Sequence, residues 1–173
     1  MQRIPYRQGT SFMDDRNPQI YVIPVDETLD GDEAKPRRLT NEEASYSPPQ
    51  WSKSGRTIVT TRTWNIGADE PWKFSNIYLI DLDSGVERRF KDDDNAYFQA
   101  IPSYDGDWLI CTRRASESTD SLARLTLVSL DGGSDPIELN VEINRGILGY
   151  DWVADGSILA LVATEGRVEV HNI

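Results

Sequence analysis

The chain has 173 residues, a formal net charge of −11 and 38% apolar residues, which suits one soluble domain with a sizeable core and excludes a disordered chain. That acidity argues against nucleic acid and anionic membrane surfaces as partners, because affinity for either rests on Lys and Arg. A lone cysteine, Cys111, excludes an internal disulfide framework, and its place in Trp108-Leu109-Ile110-Cys111 reads as a small buried hydrophobe.

The first residues, Met1-Gln2-Arg3-Ile4-Pro5-Tyr6-Arg7, carry no apolar core of a signal peptide. No stretch approaches the length of a membrane span. The expected compartment is the cytoplasm for the chain as written, or the periplasm for a mature or trimmed form.

A first phrase, Gln19-Ile20-Tyr21-Val22-Ile23-Pro24-Val25-Asp26, opens the β pattern. It returns as Asn76-Ile77-Tyr78-Leu79-Ile80-Asp81-Leu82-Asp83, and again as Arg124-Leu125-Thr126-Leu127-Val128-Ser129-Leu130-Asp131. Each copy is a strand rich in β-formers that ends in a turn signal, such as Ser84-Gly85 or Gly132-Gly133. The short polar segments that follow, residues 37–40, 87–90 and 136–139, read as returning hairpin strands with one face in water.

A second phrase follows each copy: Gln50-Trp51-Ser52-Lys53-Ser54-Gly55, Ile101-Pro102-Ser103-Tyr104-Asp105-Gly106 and Asp151-Trp152-Val153-Ala154-Asp155-Gly156. Its glycines recur about 50 residues apart, a period that signals a repeat architecture whose units bury their apolar faces on one another. Pro48 and Pro49 exclude a fully paired central strand before Gly55. Residues 57–61, 108–112 and 158–162 are the most apolar strands and are expected in the middle of each small sheet. Trp51 and Trp152 occupy the same place in the phrase, and packing between units is their expected role.

The fold class expected is therefore all-β: a β-propeller of four-stranded antiparallel blades, about three to four of them in this chain. One domain spans residues 1–173, with repeats at roughly 1–43, 44–91, 92–140 and 141–173. Ile4-Pro5-Tyr6-Arg7 aligns with the middle strands and residues 167–173 with the start of the first phrase, so the chain enters and leaves mid-blade. Such an arc leaves two apolar blade faces open. The expected solutions are a homo-oligomer that completes a ring, an independent four-bladed closure, or the remainder of a longer chain.

These phrases resemble the TolB-like propeller repeat, whose usual form is W-S-P-D-G followed by I-Y-V-I-D. Trp51-Ser52-Lys53-Ser54-Gly55 with Asn76-Ile77-Tyr78-Leu79-Ile80-Asp81 carries the likeness, and Arg37-Arg38-Leu39-Thr40 resembles the R-x-L-T step. Lys53-Ser54 departs from the usual Pro-Asp, and the third copy lacks the tyrosine. The resemblance implies a propeller scaffold of the kind found in TolB, in the gating propellers of prolyl oligopeptidase-type peptidases and in oligogalacturonate lyases.

Catalytic chemistry is not expected. There is no G-x-S-x-G nucleophile elbow, and the single histidine, His171, stands near the end. One histidine and one cysteine leave no ordinary zinc set, so neither cofactor nor metal is expected. Asp92-Asp93-Asp94-Asn95 and Asp81-x-Asp83 offer oxygen ligands, but turn roles account for both. The insert at residues 63–74 gathers aromatics in a loop, so Trp64, Trp72 and Phe74 are the candidate partner-binding residues. Arg62 and Arg113, at one offset from Gly55 and Gly106, join them as candidate carboxylate-binding groups, with ion pairs to acidic turns as the other reading. The function expected is a non-catalytic scaffold for a protein or peptide. The gating propeller of a serine peptidase is the alternative, and a carbohydrate-processing propeller the weaker one.

Overall fold

A computed structural model describes residues 17–26, 28, 30–41, 43–64, 75–115, 122–139 and 142–173. Fourteen strands and no helix occur among the described residues. The first sheet pairs β1 (Tyr21–Val22) with β2 (Arg37–Arg38). The second holds β3 (Ala44–Tyr46), β4 (Gln50–Trp51), β5 (Thr57–Trp64), β6 (Ser75–Asp81) and β7 (Glu87–Arg89). Both β3 and β4 pair with β5, so they act as one outer strand interrupted at Pro48 and Pro49, which have no N–H to give.

The third sheet has the order β11-β10-β9-β8, with β8 at Ala96–Pro102, β9 at Trp108–Arg114, β10 at Arg124–Ser129 and β11 at Ile137–Glu138. The fourth runs β12 (Ile147–Trp152), β13 (Ile158–Thr164), β14 (Arg167–Asn172). Every pairing is antiparallel between strands consecutive in the chain, apart from the interruption in the second sheet. The segment at Ile4 to Arg7 lies outside the described residues.

The sheets pack face to face in chain order across three apolar seams. Ile20 and Leu39 of the first meet Tyr46, Ile58 and Ile80 of the second. Val59 and Ile77 on the other face of the second sheet meet Tyr97, Leu109, Cys111 and Val128. Ile110 and Leu125 on the far face of the third meet Ile158, Ala160 and Val162. Adjacent residues such as Ile58 and Val59, or Leu109 and Ile110, thus serve different seams, because side chains alternate across a strand. Burial on both faces favours apolar residues, as in Leu109-Ile110-Cys111 of β9, although β5 also buries Thr60, Thr61 and Arg62. Each fully buried Ile, Leu or Val contributes about 1.5–3 kcal/mol.

In β13 the alternation is visible as exposure: Ile158, Ala160 and Val162 are buried, whereas Leu159 and Leu161 are 42% and 41% exposed. The turns of the second phrase close alike, with the amides of Gly55, Gly106 and Gly156 donating to the carbonyls of Ser52, Ser103 and Val153. All three glycines have positive φ, between 67° and 88°, where a side chain is strained.

Polar contacts also cross the seams. Ser75 Oγ donates to the Tyr97 carbonyl at 2.7 Å, and Trp152 Nε1 donates to the Ile101 carbonyl at 3.1 Å. Trp152 therefore packs between sheets. Trp51 does not: it is 56% exposed. Trp152 rests on Ile101 of the preceding repeat.

Candidate functional site

Antiparallel register builds a polar cluster on the face of the second sheet that looks toward the first. Tyr46 on β3 stands opposite Arg62 on β5, while Tyr78 on β6 lies two positions along on the same face. The Arg62 Nη1 pairs with Glu87 Oε2 at 3.0 Å, and Nη2 donates to the Tyr78 hydroxyl oxygen at 2.6 Å. Tyr46 donates its hydroxyl hydrogen to the same Glu87 carboxylate, at 2.9 Å from Oε1. The two charged side chains are only 10% and 15% exposed.

The guanidinium carbon lies 3.8 Å from the Tyr78 ring centroid and 4.6 Å from that of Trp64, within cation–π range of both. Arg62 Nε is buried and makes no hydrogen bond among the described residues. Burial works against the charge of Arg62, but Tyr46, Tyr78 and Glu87 outweigh it and raise the pKa above the ordinary arginine value. Burial likewise raises the Tyr46 phenol, with the Glu87 carboxylate adding to the effect, so Tyr46 stays a hydrogen-bond donor.

The third sheet repeats the arrangement. Tyr97 stands opposite Arg113, and Arg113 Nη2 pairs with Glu138 Oε1 at 2.9 Å. Tyr97, fully buried, donates its hydroxyl to Asp93 Oδ2 at 2.7 Å instead of to the glutamate. In the fourth sheet the equivalent opposed pair is Ile147 and Val162, both in the apolar seam. The charged device thus belongs to the second and third sheets among the described residues.

The structure places Arg62 and Arg113 in separate seams, each held by a glutamate on the outermost strand of its own sheet. Trp64 ends β5 and is 36% exposed, seated on Arg62. Trp72 and Phe74 lie outside the described residues. Sequence reasoning missed Tyr46, Glu87, Tyr97 and Glu138. Their signal is plain in retrospect: Tyr46, Arg62 and Glu87 recur at one common spacing as Tyr97, Arg113 and Glu138.

Other reactive groups are engaged elsewhere. Burial pushes the Cys111 thiol up to about 12, which keeps it protonated and non-nucleophilic. His171 Nε2 lies 3.4 Å from Glu169 Oε2 on β14. Asp93 caps its own turn through the Asn95 amide, and Asp81 accepts from the Ser84 amide and hydroxyl. Among the described residues no group of three or more His, Cys, Asp or Glu side chains is arranged to hold a metal ion.

No protein-family model matches the chain, and no curated protein matches it. Solved structures do resemble it. An Agrobacterium tumefaciens protein described as a TolB superposes with a TM-score of 0.62 at 20% identity, covering 91% of this chain and 53% of that one. A puromycin-hydrolyzing peptidase from Mycobacterium tuberculosis gives 0.66 at 20% identity, over 90% of this chain and 25% of the peptidase. An oligogalacturonate lyase from Vibrio parahaemolyticus gives 0.61 at 11% identity, over 89% and 44% respectively. The chain spans between a quarter and about half of the length of these proteins. Its fold is a TolB-like run of propeller blades, all-β and antiparallel.

Proposed function

We propose that this chain is a non-catalytic propeller scaffold that binds a protein or peptide partner. The observation that carries this reading is Trp64, an indole left accessible at the end of β5 and backed by a buried Arg62–Glu87 ion pair. A rigid aromatic on a charged support loses little entropy on binding, which is what a contact residue needs. The chemistry-bearing groups around it are turned inward to hold the sheet. Tyr21 and Val25 of the first repeat, and Val168 and Val170 of β14, are exposed apolar residues at the two ends of the run. A second copy, or further blades of a longer chain, covers them in this reading.

Chemical cross-linking followed by affinity capture tests the binding role. The scaffold reading expects a specific partner recovered with the intact protein and lost with Trp64→Ala. Recovery unchanged by that substitution, with the variant folded, overturns the role given to Trp64.

The likeness to the M. tuberculosis peptidase favours a second reading, in which the chain forms part of a propeller that gates substrate access to a serine peptidase. Hydrolysis of aminoacyl p-nitroanilides by the full-length natural product supports that reading. No turnover under conditions where a known peptidase is active removes it.

A further inference from the structure

The turns ending in Gly55, Gly106 and Gly156 lie at the opposite end of the sheets from Trp64. The eight-residue strand β5 separates the two ends by about 25 Å. At this end the Lys53 side chain reaches from the second sheet to the third. Lys53 Nζ donates to the Asp105 carbonyl at 3.0 Å. Its stem lies so close to Gly106 that a Cβ there would stand 3.1 Å from Lys53 Cβ and 3.2 Å from Cδ.

The next seam lacks this filling. Tyr104 takes the place of Lys53 in the repeat, and its hydroxyl makes only a long 3.4 Å contact with the Trp152 carbonyl. Gly156 takes the place of Gly106, and among the described residues, its own chain neighbours aside, no atom lies within 4 Å of where its Cβ would be. What remains is an open cleft of about 530 Å³ lined by Tyr104, Trp108, Leu127 and Trp152, with Asp105 and Asp155 among its walls. Asp155 Oδ1 accepts from the Ser157 amide at 2.9 Å and hydroxyl at 2.7 Å, so the carboxylate is fixed in place. No Lys or Arg pairs with Asp155 among the described residues, whereas Lys53 already lies close to Asp105.

We propose that this cleft binds a lysine or arginine side chain presented by a partner peptide, seated as Lys53 is seated in the preceding seam. Tyr104, Trp108 and Trp152 offer aromatic surface whose ring faces attract a cation. Leu127 and the indoles cover the aliphatic stem, as apolar surfaces do for long basic side chains. The head reaches the Asp155 carboxylate and the carbonyls of its turn, as Lys53 reaches the Asp105 carbonyl. A net charge of −11 draws such a ligand in. The proposal rests on the scaffold reading in one respect, that the cation belongs to a peptide, but the site is separate from Trp64.

Titration of the ¹⁵N-labelled protein with acetyl-Gly-Lys-Gly-amide, followed by amide and indole NMR, tests it. The expected result is saturable shifts of the Trp152 indole and the Gly156 amide, absent with acetyl-Gly-Gln-Gly-amide. Asp155→Asn is expected to weaken binding about fivefold. Tyr104→Lys, which copies the Lys53 arrangement into this seam, is expected to abolish it. No shift at Trp152 and Gly156, equal shifts with the glutamine peptide, or full binding to Tyr104→Lys overturns the proposal. Shifts at the Trp64 indole alone overturn the cleft and leave the scaffold reading standing. Shifts at Trp152, with partner capture indifferent to Trp64→Ala, do the reverse.

Discussion

The hydroxyl of Tyr150 donates to the carbonyl oxygen of Gln99 at 2.8 Å, across the seam between the fourth and third sheets. Gln99 has a positive φ of 50° and lies where β8 slips register against β9, between Phe98 and Ile101. A bulge takes carbonyls out of the ladder, and those of Phe98 and Gln99 both lie within reach of this one phenol. Tyr150→Phe removes the hydroxyl that donates to them. The expected cost is about 1 kcal/mol, read as a lower urea midpoint with an unchanged slope.

The two ion pairs differ in depth, and their removal should differ with it. Glu87→Gln removes the counter-charge of a guanidinium that is only 10% exposed and whose Nε makes no hydrogen bond among the described residues. The expected destabilisation is about 2–3 kcal/mol, toward the range for breaking a buried pair. Arg113 and Glu138 are 24% and 34% exposed, so Glu138→Gln is expected to cost less than about 1 kcal/mol. Chemical denaturation of both variants gives the comparison, and equal costs would mean that burial is not what sets them apart.

Cys111 is fully buried, and burial raises its pKa to about 12. In the unfolded chain the thiol ionises near pH 8.5. Above that pH the unfolded state binds fewer protons than the folded one, so this group's contribution to stability falls as pH rises toward about 12. At pH 8 the native protein is expected not to react with a disulfide reagent, and to react with one equivalent once unfolded in guanidinium. Rapid native reaction would contradict this placement.

Asp81, Asp105, Asp131 and Asp155 each accept a bond from a nearby serine hydroxyl, followed by backbone amides, and each has a lowered pKa. A depressed carboxylate adds stability that is present above the unfolded pKa and lost as pH falls through the folded one. The window is therefore below about pH 4. Ser157→Ala is expected to raise the Asp155 pKa toward the ordinary value, as followed by carboxyl NMR titration.

The repeated phrases made the sheets legible, because period-two apolar runs and a fixed glycine spacing are local properties of the chain. Pro48 and Pro49 marked the interrupted strand correctly for the same reason. The Tyr–Arg–Glu device was half legible: the arginines stood out by their offset, but their partners lie on other strands. The bulge at Gln99 left no signal, since glutamine gives no warning of a positive φ. Trp51 and Trp152 look alike in sequence and differ in burial, because contact with another sheet is not a local property of the chain. The same holds for Lys53 and Tyr104, whose contrast depends on how far each reaches across a seam.

The central claim is that successive repeats stack as blades joined across seams, with Trp152 seated on the sheet before its own. A ¹⁵N-edited NOESY spectrum tests it most directly through the Trp152 indole proton, whose nitrogen lies 3.1 Å from the Ile101 carbonyl oxygen. Strong cross-peaks from that proton to Ile101 and Pro102 are the predicted result. An indole proton that exchanges freely with water and shows no cross-peak to the third sheet would contradict the account.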